Sequence, residues 1–351
     1  MADIYNEETN RNNTIKIFKT LNSLPLYVTE YINYRSMRLT KVTILNHVHK
    51  IDLFYDYLSL VLFEGQKPKT QISVIDIQNL ELSDISGFMS YLSLGGFDQN
   101  GRKRKPNSNV SVTIYLSVLS TFFDWLVESD MITKNIIRNI KRPKGGSGKE
   151  LCFLDNVEEQ KMLDSMSSLS SANMTKKQYY AAKRDKARNN AICILLISTG
   201  CRVSELVALD LEDVNFRKST ITLKRKNKKI DLQLSDLAKS SIKEYLSIRE
   251  FKYKPKNPDE PALFLSAHGK RLGVRAIENM VANVYKRAGY AGSQKVTPRL
   301  LRNTYALQLL ETSGNDTDLF KELMGNDSLI SMAIYLKARE KAAKKGNSQP
   351  Q

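Results

Sequence analysis

Apolar residues recur along this chain mostly at helical spacing. Between Ser108 and Glu128, Ile114, Tyr115, Val118, Leu119, Phe122, Phe123 and Leu126 follow one another at intervals of one, three and four, which predicts a helix with one core-facing surface. A second stripe runs through Val42, Leu45, Val48, Ile51, Phe54 and Leu58, and a shorter third through Ile85, Phe88, Met89 and Leu92. Ser23 as an N-cap and Pro25 in the first turn predict a further helix over residues 24–37. Four such helices would bury their stripes against one another as a bundle spanning residues 23–140, behind an N-terminal extension of residues 1–22. The segment Lys141-Arg142-Pro143-Lys144-Gly145-Gly146-Ser147-Gly148 breaks the pattern with Pro, Gly and Ser, so a domain boundary is expected at 141–148. Helical periodicity resumes near Asn156 and continues through a second domain, 149–340, ahead of a tail at 341–351.

One stretch changes period. Ile221 and Leu223 alternate with Thr220 and Thr222, and Ile230, Leu232 and Leu234 alternate with Asp231 and Gln233, which predicts a β-hairpin. Its turn region, Lys224-Arg225-Lys226-Asn227-Lys228-Lys229, carries far more positive charge than a turn requires. Alternation puts Lys224 and Lys226 on the face opposite Ile221 and Leu223, where they could reach a ligand. The expected fold is therefore mainly α, in two domains, with one small β element in the second.

Composition narrows the partner. Lys and Arg number 54 against 37 Asp and Glu, a formal charge of +17, which suits a polyanion because neutralised phosphates release counterions. Two local basic runs add to this, Gly101-Arg102-Lys103-Arg104-Lys105-Pro106 in a loop and Lys176 to Arg188 in a helical stretch. A solvated loop and a phosphate contact are both open readings of the first. No uninterrupted apolar run reaches the roughly 20 residues of a membrane span, and the polar, acidic N-terminus lacks the features of a signal or transit peptide, so a cytoplasmic protein is expected. Cys152, Cys193 and Cys201 form no CxxC pair, and His47, His49 and His268 complete no ligand set, so neither a disulfide framework nor a metal is expected. The scarcity of histidine also speaks against a Ser-His-Asp hydrolase.

Breaking and rejoining DNA without an energy source needs a nucleophile that conserves the phosphate bond energy, cations around the phosphorane, and a proton donor for the leaving oxygen. Arg, Lys and Tyr suffice. The segment Thr199-Gly200-Cys201-Arg202-Val203-Ser204-Glu205-Leu206-Val207-Ala208-Leu209, followed by Leu211-Glu212-Asp213-Val214, resembles the first arginine box of the tyrosine recombinases, the phage-integrase-like family, in its Xer-like branch. Thr297-Pro298-Arg299-Leu300-Leu301-Arg302-Asn303-Thr304 is similar to the family's His-x-x-Arg box, Leu323-Met324-Gly325-Asn326-Asp327-Ser328-Leu329 to its Leu-Gly-His-x-x-Leu segment, and Tyr335 follows Asn326 by nine residues. The likeness extends over roughly residues 23 to 340.

The resemblance implies a SAM-like four-helix core-binding domain followed by a mostly helical catalytic domain. It implies that Arg202 and Arg302 hold the scissile phosphate, that Glu205 buttresses Arg202, and that Tyr335 is the nucleophile. A hairpin lysine should protonate the leaving oxygen; Lys226 is the best match, with Lys224 and Lys228 as rivals. The two histidine positions are held by Arg299 and Asn326, which can contact phosphate, though an arginine cannot accept the tyrosine proton. The partners implied are double-stranded DNA and three further copies of the chain, a homotetramer on two DNA sites, with no cofactor; the basic segment after Tyr335 would dock on a neighbouring subunit. The alternatives are a catalytically inactive sequence-specific DNA-binding protein of the same fold, and a relaxing topoisomerase or hairpin-forming resolvase with the same chemistry.

Overall fold

The computed structural model describes residues 2–97, 102–144, 151–167, 175–225, 228–255, 257, 259–289, 297–325, 332–338 and 340, with side chains from residue 9 onward. The chain divides into two compact units, Asp3–Lys149 and Glu150–Gln351.

The first unit contains α1 (Ala2–Leu21), α2 (Leu26–Ser36), α3 (Lys41–Tyr57), α4 (Val74–Gln78), α5 (Leu82–Leu94) and α6 (Asn109–Glu128). Residues 2–21, expected as an extension ahead of the bundle, form a helix whose Ile17 and Leu21 are buried in the bundle core. Ser23 does not cap α2. Its hydroxyl donates to the Thr20 carbonyl at the end of α1, and Pro25 occupies the N-cap position of α2. The stripe on α3 holds from Val48 onward, but in its first turn Ile44 is buried and Val42 is half exposed, a shift of half a turn. Thr40 accepts from the Thr43 backbone N–H to start α3, and Ser108 accepts from that of Ser111 to start α6.

Aromatic rings fill the centre of this unit, with Phe54 against Phe88 at 5.1 Å and Tyr31 against Phe122 at 5.0 Å. The helix α6 is long and apolar enough to cross a membrane by composition, yet its Val112, Leu116, Leu119, Phe122, Phe123 and Leu126 are packed into this core. Of the basic loop, Arg104 is drawn back to Asp56 at 3.0 Å, a buried carboxylate that also meets Lys69 at 2.8 Å. Part of that loop's charge therefore serves the fold.

The second unit contains α7 (Asn156–Ser167), α8 (Lys176–Thr199), α9 (Val203–Val207), strands β1 (Val214–Asn215), β2 (Thr220–Arg225) and β3 (Lys228–Gln233), then α10 (Asp236–Tyr253), α11 (Val274–Arg287), α12 (Pro298–Thr312) and α13 (Thr317–Met324), with a last helical stretch at 332–338. The strands form an antiparallel sheet in the order β1-β2-β3, with Ile221 opposite Leu232, Leu223 opposite Ile230 and Arg225 opposite Lys228. The hairpin thus extends further toward its tip than its apolar alternation suggests, and Lys224, Arg225, Lys228 and Lys229 are strand residues. The two-residue β1 is too short to show a period. Ile221, Leu223 and Leu232 join Ile192, Leu196, Ile242, Ile277, Val281 and Leu301 among the buried side chains of this unit.

Candidate active site

The site grows from the end of α8. Gly200 closes that helix in the left-handed region at φ 56, and a Cβ there would lie 2.2 Å from the Tyr305 ring. The turn that glycine permits delivers Arg202 as the first residue before α9. Glu205, one turn on, accepts the Arg202 backbone N–H at 2.8 Å and the Arg202 guanidinium at 2.7 Å, so one carboxylate fixes both ends of that residue. The Arg202 side chain nevertheless stays 40% exposed. The expected buttress is present in this geometry.

Three arginines from different elements meet at the C-terminus of α13, which Gly325 ends at φ 58. Arg225, from β2, donates to the carbonyls of Glu322 at 3.3 Å and Leu323 at 2.6 Å. Arg302, from α12, donates to the carbonyls of Met324 and Gly200, and Arg202 reaches the Gly325 carbonyl at 2.9 Å. A helix leaves its last carbonyls without intrahelical partners and carries partial negative charge there, so this end attracts cations. Carbonyls 322 to 325 of a single helix end consequently gather side chains that lie up to 100 positions apart in sequence.

Glu205 neutralises part of the cluster. It also accepts from Arg225, with Nε to Oε1 at 3.1 Å, and Arg225 is only 6% exposed. Burial pushes the Glu205 carboxyl upward, but the Arg202 backbone hydrogen bond, the Arg225 charge and both side-chain bonds outweigh it, leaving it below the ordinary glutamate value. Arg302 is pushed down to about 10, chiefly by burial and then by the nearby Arg202 charge. Burial likewise lifts the Cys201 thiol to about 11, so it stays protonated at neutral pH.

Tyr335 lies in the helical stretch 332–338, 8% exposed, its ring 5.7 Å from that of Phe320. Burial raises its phenol above the ordinary value, while Arg302, Arg299 and Arg202 each pull it down, which puts the phenol within electrostatic reach of all three. Its hydroxyl donates to Asn303 Oδ1 at 2.9 Å. Arg299 is exposed in the first turn of α12, one turn before Arg302. Arg202 and Arg302 thus meet on adjacent carbonyls, Tyr335 bonds to the residue that follows Arg302, and Arg299 lies one turn before Arg302 on the same helix.

Lys226 and Asn326 lie outside the described residues, as do residues 341–351 and the Gly-rich part of the linker. Of the rival lysines, Lys224 faces Asp213 at 3.4 Å and Asp210 at 3.8 Å, and Lys228 is exposed on β3 opposite Arg225. Two residues of the site went unnoticed in the sequence. Arg225 shares the inward parity of Ile221 and Leu223, so alternation alone points it at the core, and a buried cation there implies a carboxylate partner. Asn303 gives no such signal. Among the described residues no group of three or more His, Cys, Asp or Glu is arranged to hold a metal ion.

The Phage integrase family model matches residues 153–342. The chain is 28% identical to tyrosine recombinase XerS of Streptococcus thermophilus (strain CNRZ 1066) over 346 residues, 92% of this chain and 93% of that protein. It is 27% identical to tyrosine recombinase XerC of Caldanaerobacter subterraneus subsp. tengcongensis over 320 residues, 89% of this chain and 82% of that one. In fold it is similar to the XerH site-specific recombinase bound to palindromic difH substrate in a post-cleavage complex, with TM-score 0.64 and 22% identity, covering 95% of this chain and 88% of that one.

Proposed function

Because the chain belongs to the phage integrase family, we propose that it is a site-specific tyrosine recombinase that cuts and rejoins duplex DNA through a 3′-phosphotyrosyl intermediate. The single observation that carries the residue roles is the meeting of Arg202 and Arg302 on the adjacent carbonyls of Met324 and Gly325, with the Tyr335 phenol under the influence of both charges.

In this reading the two guanidiniums bind the non-bridging oxygens of one phosphate and offset the charge that builds on the phosphorane. The Tyr335 oxygen forms a bond to phosphorus, the bond from phosphorus to the 5′ oxygen breaks, and Lys226 gives that oxygen its proton. Arg299 and Asn326 add hydrogen bonds to the phosphate. Arg299 cannot take the phenol proton, so water or another group accepts it. The freed 5′ hydroxyl of one duplex then attacks the phosphotyrosine of the other, an exchange of nearly equal bonds that needs neither metal nor nucleotide. The first unit is the DNA-binding domain, the second the catalytic one. Four copies synapse two sites in the cytoplasm of the host cell, through contacts made by the segment after Tyr335.

Nicked duplexes carrying inverted-repeat core sites test this. Loss of the short fragment beyond the nick should trap a covalent protein–DNA adduct with the wild-type protein and none with Tyr335→Phe. Specific binding by the wild type with no adduct on any duplex would instead identify a DNA-binding protein of this fold.

A further inference from the structure

The hydrogen bond between Tyr335 and Asn303 has a direction that the surroundings settle. Asn303 is 5% exposed and its Nδ2 donates to the Cys152 carbonyl at 2.8 Å. A backbone carbonyl only accepts, so the amide nitrogen must face Cys152 and the amide oxygen must face the phenol. The phenol is therefore the donor, and its one proton is engaged by a group too weakly basic to remove it. A hydrogen bond to the neutral form of an acid disfavours ionisation, and burial acts in the same direction at this residue. The contact as it stands keeps the nucleophile protonated, with its oxygen turned to an amide.

The other side of Asn303 ties this contact to the first described residues after the inter-unit segment. Besides the Cys152 carbonyl, the Leu154 backbone N–H donates to Thr304 Oγ1 at 2.9 Å. Leu151 and Phe153 pack against the apolar cluster that contains Phe320, Met332 and Tyr335. Residues 151–154 thus form a strap across the start of α12, and the strap sets the amide that holds the phenol.

We propose that Asn303 is a positioning residue that parks the Tyr335 phenol in a protonated, non-attacking state, released when DNA engages the site. The proposal rests on Tyr335 being the nucleophile. Asn303 does not touch the phosphate in this scheme; it acts through Tyr335, and the strap at 151–154 acts through Asn303. Recombination needs such a restraint, since a nucleophile free to attack before the partner site is aligned would leave broken strands.

The test uses the full-length protein with Asn303→Leu, which keeps the branched outline of the side chain without an acceptor, and Asn303→Ala as a second, smaller variant, both checked for unchanged binding to intact core-site DNA. The resting state is read with 3-fluorotyrosine placed at 335 and its fluorine resonance recorded without DNA. Both variants should shift that resonance toward the position of the unfolded protein and speed single-turnover adduct formation on nicked DNA about five-fold, the factor that one neutral hydrogen bond is worth. An unmoved resonance in both variants, or a shifted resonance with adduct formation unchanged or slower, overturns the parking role. If the wild type forms no adduct on any nicked duplex, the recombinase reading fails instead, and that outcome is distinguished because the resonance is measured without reaction. In that case the parking role falls with it, whatever the resonance shows.

Discussion

The two units are held together by different physics. In the first, α3, α5 and α6 meet through rings and branched aliphatics, and stability is a matter of area removed from water and of packing without voids. In the second, beside its own apolar core, three guanidiniums and one carboxylate surround a helix terminus, and stability there is a matter of every polar group finding a partner. An apolar core tolerates a change of residue if volume is kept. A charged cluster tolerates no loss of a partner, because the remaining charge is still out of water.

That contrast can be attacked first where area dominates. Phe122 is fully buried between Tyr31 and Phe123, so Phe122→Ala should cost about 3–5 kcal/mol, lowering the urea midpoint, while Phe122→Leu should recover most of it. Equal losses for the two variants would show that the ring contacts, and not the volume, hold this core.

In the polar cluster, Glu205→Gln removes one charge and almost no volume, yet it should cost about 3 kcal/mol by leaving Arg225 buried beside Arg202 and Arg302 without an anion. Adduct formation on nicked DNA should fall with it, since Arg202 loses its anchor. The pH dependence carries the same signature. Glu205 is depressed when folded, so its contribution is present in full above the unfolded glutamate value of about 4.3 and is lost as pH falls through the lower folded value. Acid unfolding curves of the wild type should contain that loss, and Glu205→Gln should lack it. An unchanged acid limb would remove Glu205 from the list of linked groups.

The contrast also explains how much could be read from the sequence. Apolar stripes on α3, α5 and α6 are visible because burial of area leaves a period, and the hairpin is visible because Ile221, Leu223, Ile230 and Leu232 alternate. The half-turn slip at Val42 and Ile44 arises at a helix start, where burial is decided by neighbouring elements that no local period reports. Arg202, Glu205, Arg302 and Tyr335 were legible as types at known spacing. The meeting place of the arginines was not, because the groups that assemble them are the backbone carbonyls of residues 200 and 322–325, and every residue has a carbonyl. Asn303 was hidden for a similar reason, since its role depends on the Cys152 backbone.

Gly325 sits where those carbonyls and the arginines meet. Its φ of 58 and the 2.9 Å from a built Cβ to Arg225 Cδ mean that Gly325→Ala should cost about 1–2 kcal/mol and push the Arg225 side chain aside. Adduct formation should drop more than thermal stability does, because Arg202 and Arg302 bond to the carbonyls on either side of the strained peptide. A variant of full activity would show that these carbonyls serve the fold alone.

The smallest effect is expected one residue from the arginine cluster. Lys224 and Arg225 are neighbours on β2 with opposite faces, so Arg225 enters the cluster while Lys224 turns to Asp213 and Asp210. Asp210 keeps Arg271 on its other oxygen, and Asp213 keeps the Asp210 backbone N–H at 2.8 Å, so Lys224→Met leaves each carboxylate with one partner. Its side chain is also 30% exposed, and the loss should stay within about 1 kcal/mol. Lys224 is turned toward these two carboxylates, so adduct formation by Lys224→Met should match the wild type while Lys226→Met slows it about 100-fold or more. The reverse pattern would assign the leaving-group proton to Lys224 and require its carboxylate pairing to break when DNA binds.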